Sequence, residues 1–444
     1  MPDPLAPDGR LVAVVGAGIA GLAAALELQR RGARVVVFEA SGQVGGKVKV
    51  SDVGGVPVDE GADSMLRRVP YGVDLATSAG FALTSPSAGA ASLWTRGTLR
   101  PLPAGTVMGI PTDVAGLGQV LTPEGLLRAG DERPGSPVLQ DLSVGDLVAD
   151  RLGREVVERL VDPLLGGVYA GRADLLSVQA TLPQLWPHLA QHTSLLDAAR
   201  AARGTPTVGP VFAGIEGGLG HLPPALARDL DVRLGATVRG LERTADGWRL
   251  ESGSVADPAY QMVGAVVLAV PAGPAARLLA PHVSVEELTG VGYASVGIVT
   301  LVLDGDSPSI GSGYLVPAIE GRVTKAVTFT SRKWGRPGPA VIRASVGRYG
   351  DVADLQRDDA DLVRVVLAEL REAVGPLPRL LDSRVTRWDG GLPQYAVGHL
   401  DLVRRLRASL PPGIAVAGAA YDGVGVPAVA LSGQEAARAV LTGG

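Results

Sequence analysis

The chain comprises 444 residues, of which 41 are Lys or Arg and 45 are Asp or Glu, leaving a formal net charge of −4. A length of this order predicts two or three domains and a core that needs no covalent staples, and the slightly acidic balance argues against nucleic acid as a partner. Cysteine is absent, which excludes disulfides, thiolate metal sites and cysteine nucleophiles, and fits a reducing cytoplasm.

The first predicted element is a strand, the apolar run Leu11 to Val15. Gly16, Gly18 and Gly21 follow, with a helix from about Ile19 to Arg31, a second apolar strand from Arg34 to Phe38, and Glu39 at its end. This is the strand, turn, helix, strand unit that binds dinucleotides. Its first glycine makes the tight turn, the second lets backbone approach a pyrophosphate, and the third lets the helix pack close to the sheet. The pyrophosphate belongs at the helix N-terminus, where unpaired N–H groups and the helix dipole favour an anion. Glu39 suits both ribose hydroxyls and would repel a 2′-phosphate. A membrane span or a signal segment is the competing reading, because Leu11 to Leu28 is nearly all apolar and follows Arg10. Neither has a use for glycine at this spacing or for an acid at a strand end. No other segment approaches the ~20 apolar residues of a bilayer span, so no transmembrane segment is expected and peripheral membrane contact stays open.

Gly45, Gly46 and Lys47 have the character of a second phosphate-binding turn, with two glycines clearing side-chain bulk and a lysine adding charge. An ordinary Gly-Gly turn is the alternative. Strand-like alternation continues through Lys47 to Val50 and Val56 to Asp59, before a helix from Tyr71 to Ala79. From about 85 to 210 the chain reads as a mostly helical insert, with helical periodicity in Val144 to Leu152 and Glu155 to Leu165. Sheet-like segments return at Asp231 to Arg243, Trp248 to Ser252 and Ala265 to Val270. A second sheet is expected over Val296 to Leu303, Val323 to Thr330 and Ala340 to Val346, then an amphipathic helix over Leu362 to Val374. The chain closes with a strand at Ile414 to Ala417 and a helix near Ser432 to Leu441. Apolar residues make up 46% of the whole, so the 61 glycines and 33 prolines indicate many tight turns rather than disorder. Among the histidines, His188 and His192 stand four apart, but no third ligand accompanies them and no metal is expected.

A nucleotide fold interrupted twice and completed by the last strand and helix is typical of two-domain flavoproteins. The expected class is α/β: a discontinuous Rossmann-like FAD-binding domain (1–84, 211–275 and 385–444), a mostly helical insert (85–210) and a mixed-sheet substrate domain (276–384). Several stretches carry a closer resemblance. They include Glu60-Gly61-Ala62-Asp63-Ser64, Gly167-Val168-Tyr169-Ala170-Gly171, Gly217-Gly218-Leu219, Thr330-Ser331-Arg332-Lys333-Trp334 and Val346-Gly347-Arg348. More specific are Pro393-Gln394-Tyr395-Ala396-Val397-Gly398-His399 and Tyr421-Asp422-Gly423-Val424-Gly425-Val426-Pro427. On these segments the chain resembles the flavin-dependent porphyrinogen oxidases of the amine oxidase superfamily, and especially the bacterial coproporphyrinogen III oxidase branch.

The resemblance implies FAD held noncovalently by Gly16, Gly18, Ile19, Ala20, Gly21, Glu39, Ala40, Gly45, Gly46, Lys47, Gly61, Ala62, Asp63 and Ser64. Backbone near Val238 would meet the adenine, and Trp388 with Val424, Gly425 and Val426 would lie beside the isoalloxazine. It implies coproporphyrinogen III and dioxygen as reactants in haem biosynthesis, a six-electron oxidation in three cycles, and three hydrogen peroxide. Hydride goes to flavin N5, so no catalytic side chain is assigned. The substrate's propionates require local cations, and the candidates are Arg67, Arg68, Arg332 and Lys333. Val69 stands where related enzymes carry a basic residue, and Ala428-Val429-Ala430 also departs from the family. A downstream ferrochelatase is a partner the resemblance suggests. Protoporphyrinogen IX oxidation, a flavin amine oxidase or carotenoid-type desaturase, and a porphyrin-carrying flavoprotein are the alternatives.

Overall fold

The computed structural model describes residues 11–204 and 209–442, so Arg10 and the first residues of the amino-terminal domain lie outside the described residues. In chain order, β1 (Leu11–Val15), α1 (Ile19–Arg30) and β2 (Arg34–Phe38) are followed by the hairpin β3 (Val50–Val53) and β4 (Val56–Asp59). A second hairpin, β5 (Ser92–Thr95) and β6 (Thr98–Pro101), turns on Arg96 and Gly97 with φ of +55° and +75°. Two left-handed residues make the turn whose twist matches the flanking strands. The insert contains α2 (Val144–Leu152) and, after a π-helical turn at Val157–Val161, α3 (Asp162–Tyr169). Next come β7 (Asp231–Arg233), β8 (Ala265–Leu268), β9 (Tyr293–Asp304), β10 (Gly313–Leu315), β11 (Thr324–Phe329) and β12 (Ala340–Val346). The chain ends with α4 (Asp359–Val374), β13 (Arg379–Pro393), α5 (His399–Ser409), β14 (Ile414–Val416) and α6 (Val426–Thr442).

A parallel sheet of five strands runs β7-β2-β1-β8-β14. Both faces are covered, which is why its central strands read as unbroken apolar runs. Val12, Ala13 and Val14 are wholly buried, with one side packing toward α1 and α6 and the other toward the helix Ala272–Leu279. The first and last elements of the chain therefore complete one unit. The segment Asp231 to Arg243, expected as one stretch of sheet, divides: β7 adds to the parallel sheet, and Val238–Thr244 starts a separate antiparallel sheet of three strands. Gly235, at φ +66°, makes the turn between them.

The second sheet has seven strands in the order β13-β9-β12-β11-β10-β5-β6. Strand β13 crosses the 384/385 boundary set from the sequence, and β5 and β6 join this sheet from within 85–210. One face is capped by α4, whose Leu362, Val366 and Leu370 bury against Val299, Leu301 and Ile342. An Asp358 carboxylate accepts from Asp361 N at 2.7 Å and fixes the start of α4. The opposite face looks toward the nucleotide unit and the helical insert.

Helix α6 starts at Val426, six positions before the expected Ser432, because Pro427 in its first turn needs no N–H partner. Gly433 lies in its interior, where a Cβ would stand 2.0 Å from Ala20 O of α1. Replacing Gly433 with Ala should therefore force the two helices apart and cost about 1–3 kcal/mol. Gly273 has open space around its Cβ position, so Gly273→Ala should be neutral or stabilising by up to about 1 kcal/mol. Denaturant unfolding of the two variants checks both signs.

Candidate active site

The site is built around the turn after β1. Gly16 N donates to Phe38 O at 2.7 Å, locking the turn to β2, and its φ of +105° with Ala269 O 2.5 Å from the Cβ position excludes any larger residue. At Gly21 a Cβ would meet Gly16 O at 1.8 Å, so the start of α1 can lie against the turn only with glycine there. Gly18, the residue before α1, has nothing within 4 Å of its Cβ position, and no side chain caps the helix. Those first-turn N–H groups are thus available to an anion. Ile19 and Ala20 are buried in the first turn behind them.

Glu39 is held at the edge of this turn: Oε2 accepts from Ala17 N at 2.8 Å and Oε1 from Ser41 N at 2.8 Å. An ionised carboxylate has about four acceptor sites, so two remain for hydroxyl donors. Ala40 beside it is exposed. The Gly45-Gly46 turn abuts the first one, with Gly45 N donating to Ala17 O at 2.8 Å and the Gly46 Cβ position 3.3 Å from Gly18 Cα. Lys47 presents an exposed side chain, while its carbonyl lies 1.9 Å from the Cβ position of Gly61. Two glycine turns and the Gly61 strand end thus crowd together backbone to backbone.

From the C-terminal end, Gly423 and Gly425, at φ of +111° and +100°, shape the loop into α6. Val424 is half-buried and Gly425 exposed, whereas Val426 packs near Gly72 with 3.3 Å to its Cβ position. Trp388, on β13, donates from Nε1 to Glu60 O at 2.9 Å. Val238 is half-buried at the start of the antiparallel sheet. Conserving local geometry falls to other residues of the expected segments. Asp59 accepts from Leu219 N at 3.1 Å and Gly220 N at 2.7 Å, tying the Gly217-Gly218-Leu219 turn to β4. Asp141 accepts from Gly398 N at 2.9 Å, and Gln394 Nε2 donates to Tyr169 O at 2.8 Å, so the Pro393 to His399 segment stitches the insert to the rest. His399 stacks on Tyr395 at 4.7 Å, and burial pushes its pKa down.

The four cations expected for propionates have different surroundings. Lys333 Nζ donates to both oxygens of Asp63 at 3.1 Å and lies 3.2 Å from Ser64 Oγ. Arg332 donates from Nε to Gly311 O at 3.0 Å and from Nη2 to Ser309 O at 3.3 Å. Arg67 is exposed and reaches Ser85 Oγ at 3.2 Å, and Arg68 is exposed. Sequence reasoning did not single out Arg343, a charge within the apolar run Ala340 to Val346. Arg343 bonds Gly61 O and stands 3.6 Å from Asp63 Oδ2. Burial would raise the Asp63 pKa, but Lys333 and Arg343 overcome it and hold the carboxyl at about 2.

On the sheet face turned toward this region, β-pairing aligns Ile298 with Ser345 and Ser345 with Ala326, and Leu315 with Ala326. All four are partly exposed, in contrast to the sealed face under α4. Gly167 of α3 faces them, its Cβ position 3.5 Å from Leu315 Cδ2. The partly exposed face of the sheet thus meets the insert at α3. Among the described residues, no group of three His, Asp or Glu is placed to hold a metal ion, and no helix is long and apolar enough to cross a membrane.

Residues 19–441 match the family of flavin containing amine oxidoreductases. The chain belongs to this family. It is 38% identical to the coproporphyrinogen III oxidase of Mycobacterium tuberculosis strain H37Rv, over 97% of each chain. The Bacillus subtilis coproporphyrinogen III oxidase is 30% identical over 98% of this chain and 99% of its own. A crystal structure described as a protoporphyrinogen oxidase of Exiguobacterium sp. 255-15 aligns with a TM-score of 0.87 and 31% identity, covering 98% and 99% of the two chains. The family member described here is an oxidoreductase with FAD as its cofactor.

Removing the Asp63 charge should leave Lys333 and Arg343 buried without their partner, and Asp63→Asn is expected to cost about 3 kcal/mol. Because the folded pKa is depressed, this carboxylate's charge-linked stabilisation is complete above its ordinary 3.8 and lost as pH falls toward about 2. Stability measured across that interval should fall less steeply in Asp63→Asn than in the parent.

Proposed function

We propose that this chain oxidises coproporphyrinogen III to coproporphyrin III with dioxygen, in haem biosynthesis. The observation that carries the reading is the end-to-end likeness, 38% identity over 97% of both chains, to a coproporphyrinogen III oxidase. The site's chemistry supports it. A porphyrinogen gains aromaticity on oxidation, so the protein needs to supply orientation and charge stabilisation more than a strong base.

In this reading Gly16, Gly18, Ile19, Ala20 and Gly21 hold the FAD pyrophosphate, Glu39 with Ala40 the ribose, and Gly45, Gly46 and Lys47 the second phosphate turn. Gly61, Ala62, Asp63 and Ser64 line the groove, Val238 meets the adenine, and Trp388 with Val424, Gly425 and Val426 flanks the ring system. FAD supplies a two-electron acceptor that dioxygen regenerates, so three cycles convert one substrate and three dioxygen into one porphyrin and three hydrogen peroxide. The Val424 and Gly425 backbone at the start of α6 offers N–H groups that stabilise negative charge. The Lys333–Asp63–Arg343 cluster holds the sheet against the groove, and the partly exposed sheet face at Ile298, Leu315, Ala326 and Ser345 is the proposed wall of a cleft for the macrocycle.

Arg67 and Arg68, exposed near the Asp63 segment, remain the proposed outer cations for propionates, while Arg332 and Lys333 act on the cleft through the backbone and carboxylate they hold. A ferrochelatase consuming the product and a cytoplasmic location complete the proposal.

Purified protein incubated aerobically with coproporphyrinogen III should develop porphyrin fluorescence and three peroxide per porphyrin. A rate no higher than autoxidation contradicts the proposal, and a higher kcat/KM on protoporphyrinogen IX would reassign the substrate. Glu39→Ala should weaken FAD retention by roughly 10- to 100-fold, the loss of hydrogen bonds to a charged group, read by equilibrium dialysis.

A further inference from the structure

Lys325 is a cation that no ion pair explains. Its residue is only 6% exposed, and among the described residues its ammonium has no hydrogen bond or carboxylate partner. A buried, unpaired ammonium is costly, so its place in the strand needs a reason. Lys325 sits at a register break in β11: Thr324 pairs with Val346, yet Ala326 pairs with Ser345. Val346 belongs to the apolar cluster under α4, whereas Ser345 and Ala326 face the cleft. Passing from one face to the other within two positions requires a bulge, and the extra residue, following Thr324, turns to the cleft side with Ala326.

The neighbours are consistent with that direction. Glu369 of α4 spends its carboxylate on Val323 N and Thr324 N, both at 2.9 Å, on the far side of the strand. Lys325 O accepts from Val316 N at 2.8 Å, and Val316 O accepts from Arg348 Nη2 at 3.0 Å, bringing a second cation alongside. Burial and then the Arg348 charge push the Lys325 ammonium down to about 7. The one carboxylate nearby on the insert, Asp162 of α3, already accepts from Ala173 N at 2.9 Å and is felt by Arg348. Arg348 is thus balanced by Asp162 together with Asp351, Asp354 and Glu369, whereas Lys325 feels burial and the Arg348 charge with no carboxylate of its own.

We propose that Lys325, supported by Arg348, takes a carboxylate of the substrate at the insert end of the cleft, a subsite for one propionate. This rests on the porphyrinogen reading above and gives it a polarity: one propionate edge of the macrocycle goes toward α3 and β11. A carboxylate placed there gains a charge-assisted hydrogen bond in a site of low dielectric, and its arrival restores the charge that burial opposes.

The test uses FAD-loaded protein and two probes, coproporphyrin III and its tetramethyl ester, with binding followed by porphyrin fluorescence. The parent should bind the acid at least tenfold more tightly than the ester. Lys325→Met should weaken the acid by about 10- to 100-fold and leave the ester within a factor of about two, with Lys325→Arg lying between parent and Met. A general packing defect would weaken both probes together. Equal binding of acid and ester by the parent overturns the proposal even if Lys325→Met does not fold, and so does unchanged acid binding by a folded Lys325→Met. If the parent oxidises coproporphyrinogen III while either of those results holds, only the Lys325 assignment falls; if it neither oxidises nor binds the macrocycle, the functional reading falls with it.

Discussion

The close contact between α1 and α6 is the constraint on which the rest of the molecule depends. Gly433 lets the last helix lie against Ala20 of the first, and Gly21 lets that first helix lie against the Gly16 turn. A side chain at either position would meet backbone oxygen, which cannot move aside as a flexible side chain can. Through these two contacts, residues at opposite ends of the sequence form one rigid rim. Gly418 N donates to Ser432 Oγ at 2.8 Å, and Asp422 accepts from Arg407 at 2.6 Å, so the loop before α6 is fixed as firmly as the helix.

Between the nucleotide unit and the large sheet the binding force is of another kind. Asp63 sits with Lys333 and Arg343, and all three side chains are at least 86% buried. Such a cluster is a weak source of net stability, because desolvation offsets much of the attraction. Its value is geometric. It fixes the distance from β4 and its following turn to β11 and β12, and Trp388 does the same at the other edge by bonding Glu60 O. The proposed cleft lies beside this frame, where Ala326 and Ser345 leave the sheet face partly exposed.

How much of this was legible in the sequence follows from what each residue contacts. Strands β1, β2, β8 and β14 were readable because a parallel sheet covered on both faces demands continuous apolar runs. Helix α4 was readable from its one apolar face. By contrast, β13 was not assigned: Arg379 to Pro393 is a half-exposed edge strand rich in polar residues, with two glycines near its end, and it resembles a loop in composition. The hairpin β5–β6 was hidden by its shortness and by an Arg-Gly turn that propensity does not favour. Among charges, the partner of Lys333 lies 270 positions away, a separation at which no local pattern operates. Lys325 was equally silent, because its meaning depends on a register break that only pairing with Ser345 reveals. The packing of the two glycine turns and the Glu39 carboxylate that braces the first were legible for the opposite reason, since their contacts with one another fall within a span of about 30 residues.

In the proposed function, electrons leave the macrocycle for a flavin held in the groove that the two chain ends share. Mixing FAD-loaded protein with a stoichiometric amount of coproporphyrinogen III in the absence of oxygen, and recording the visible flavin absorbance, tests it directly. The yellow absorbance should bleach on mixing and return when air is admitted. A flavin that stays oxidised beside bound substrate would contradict it.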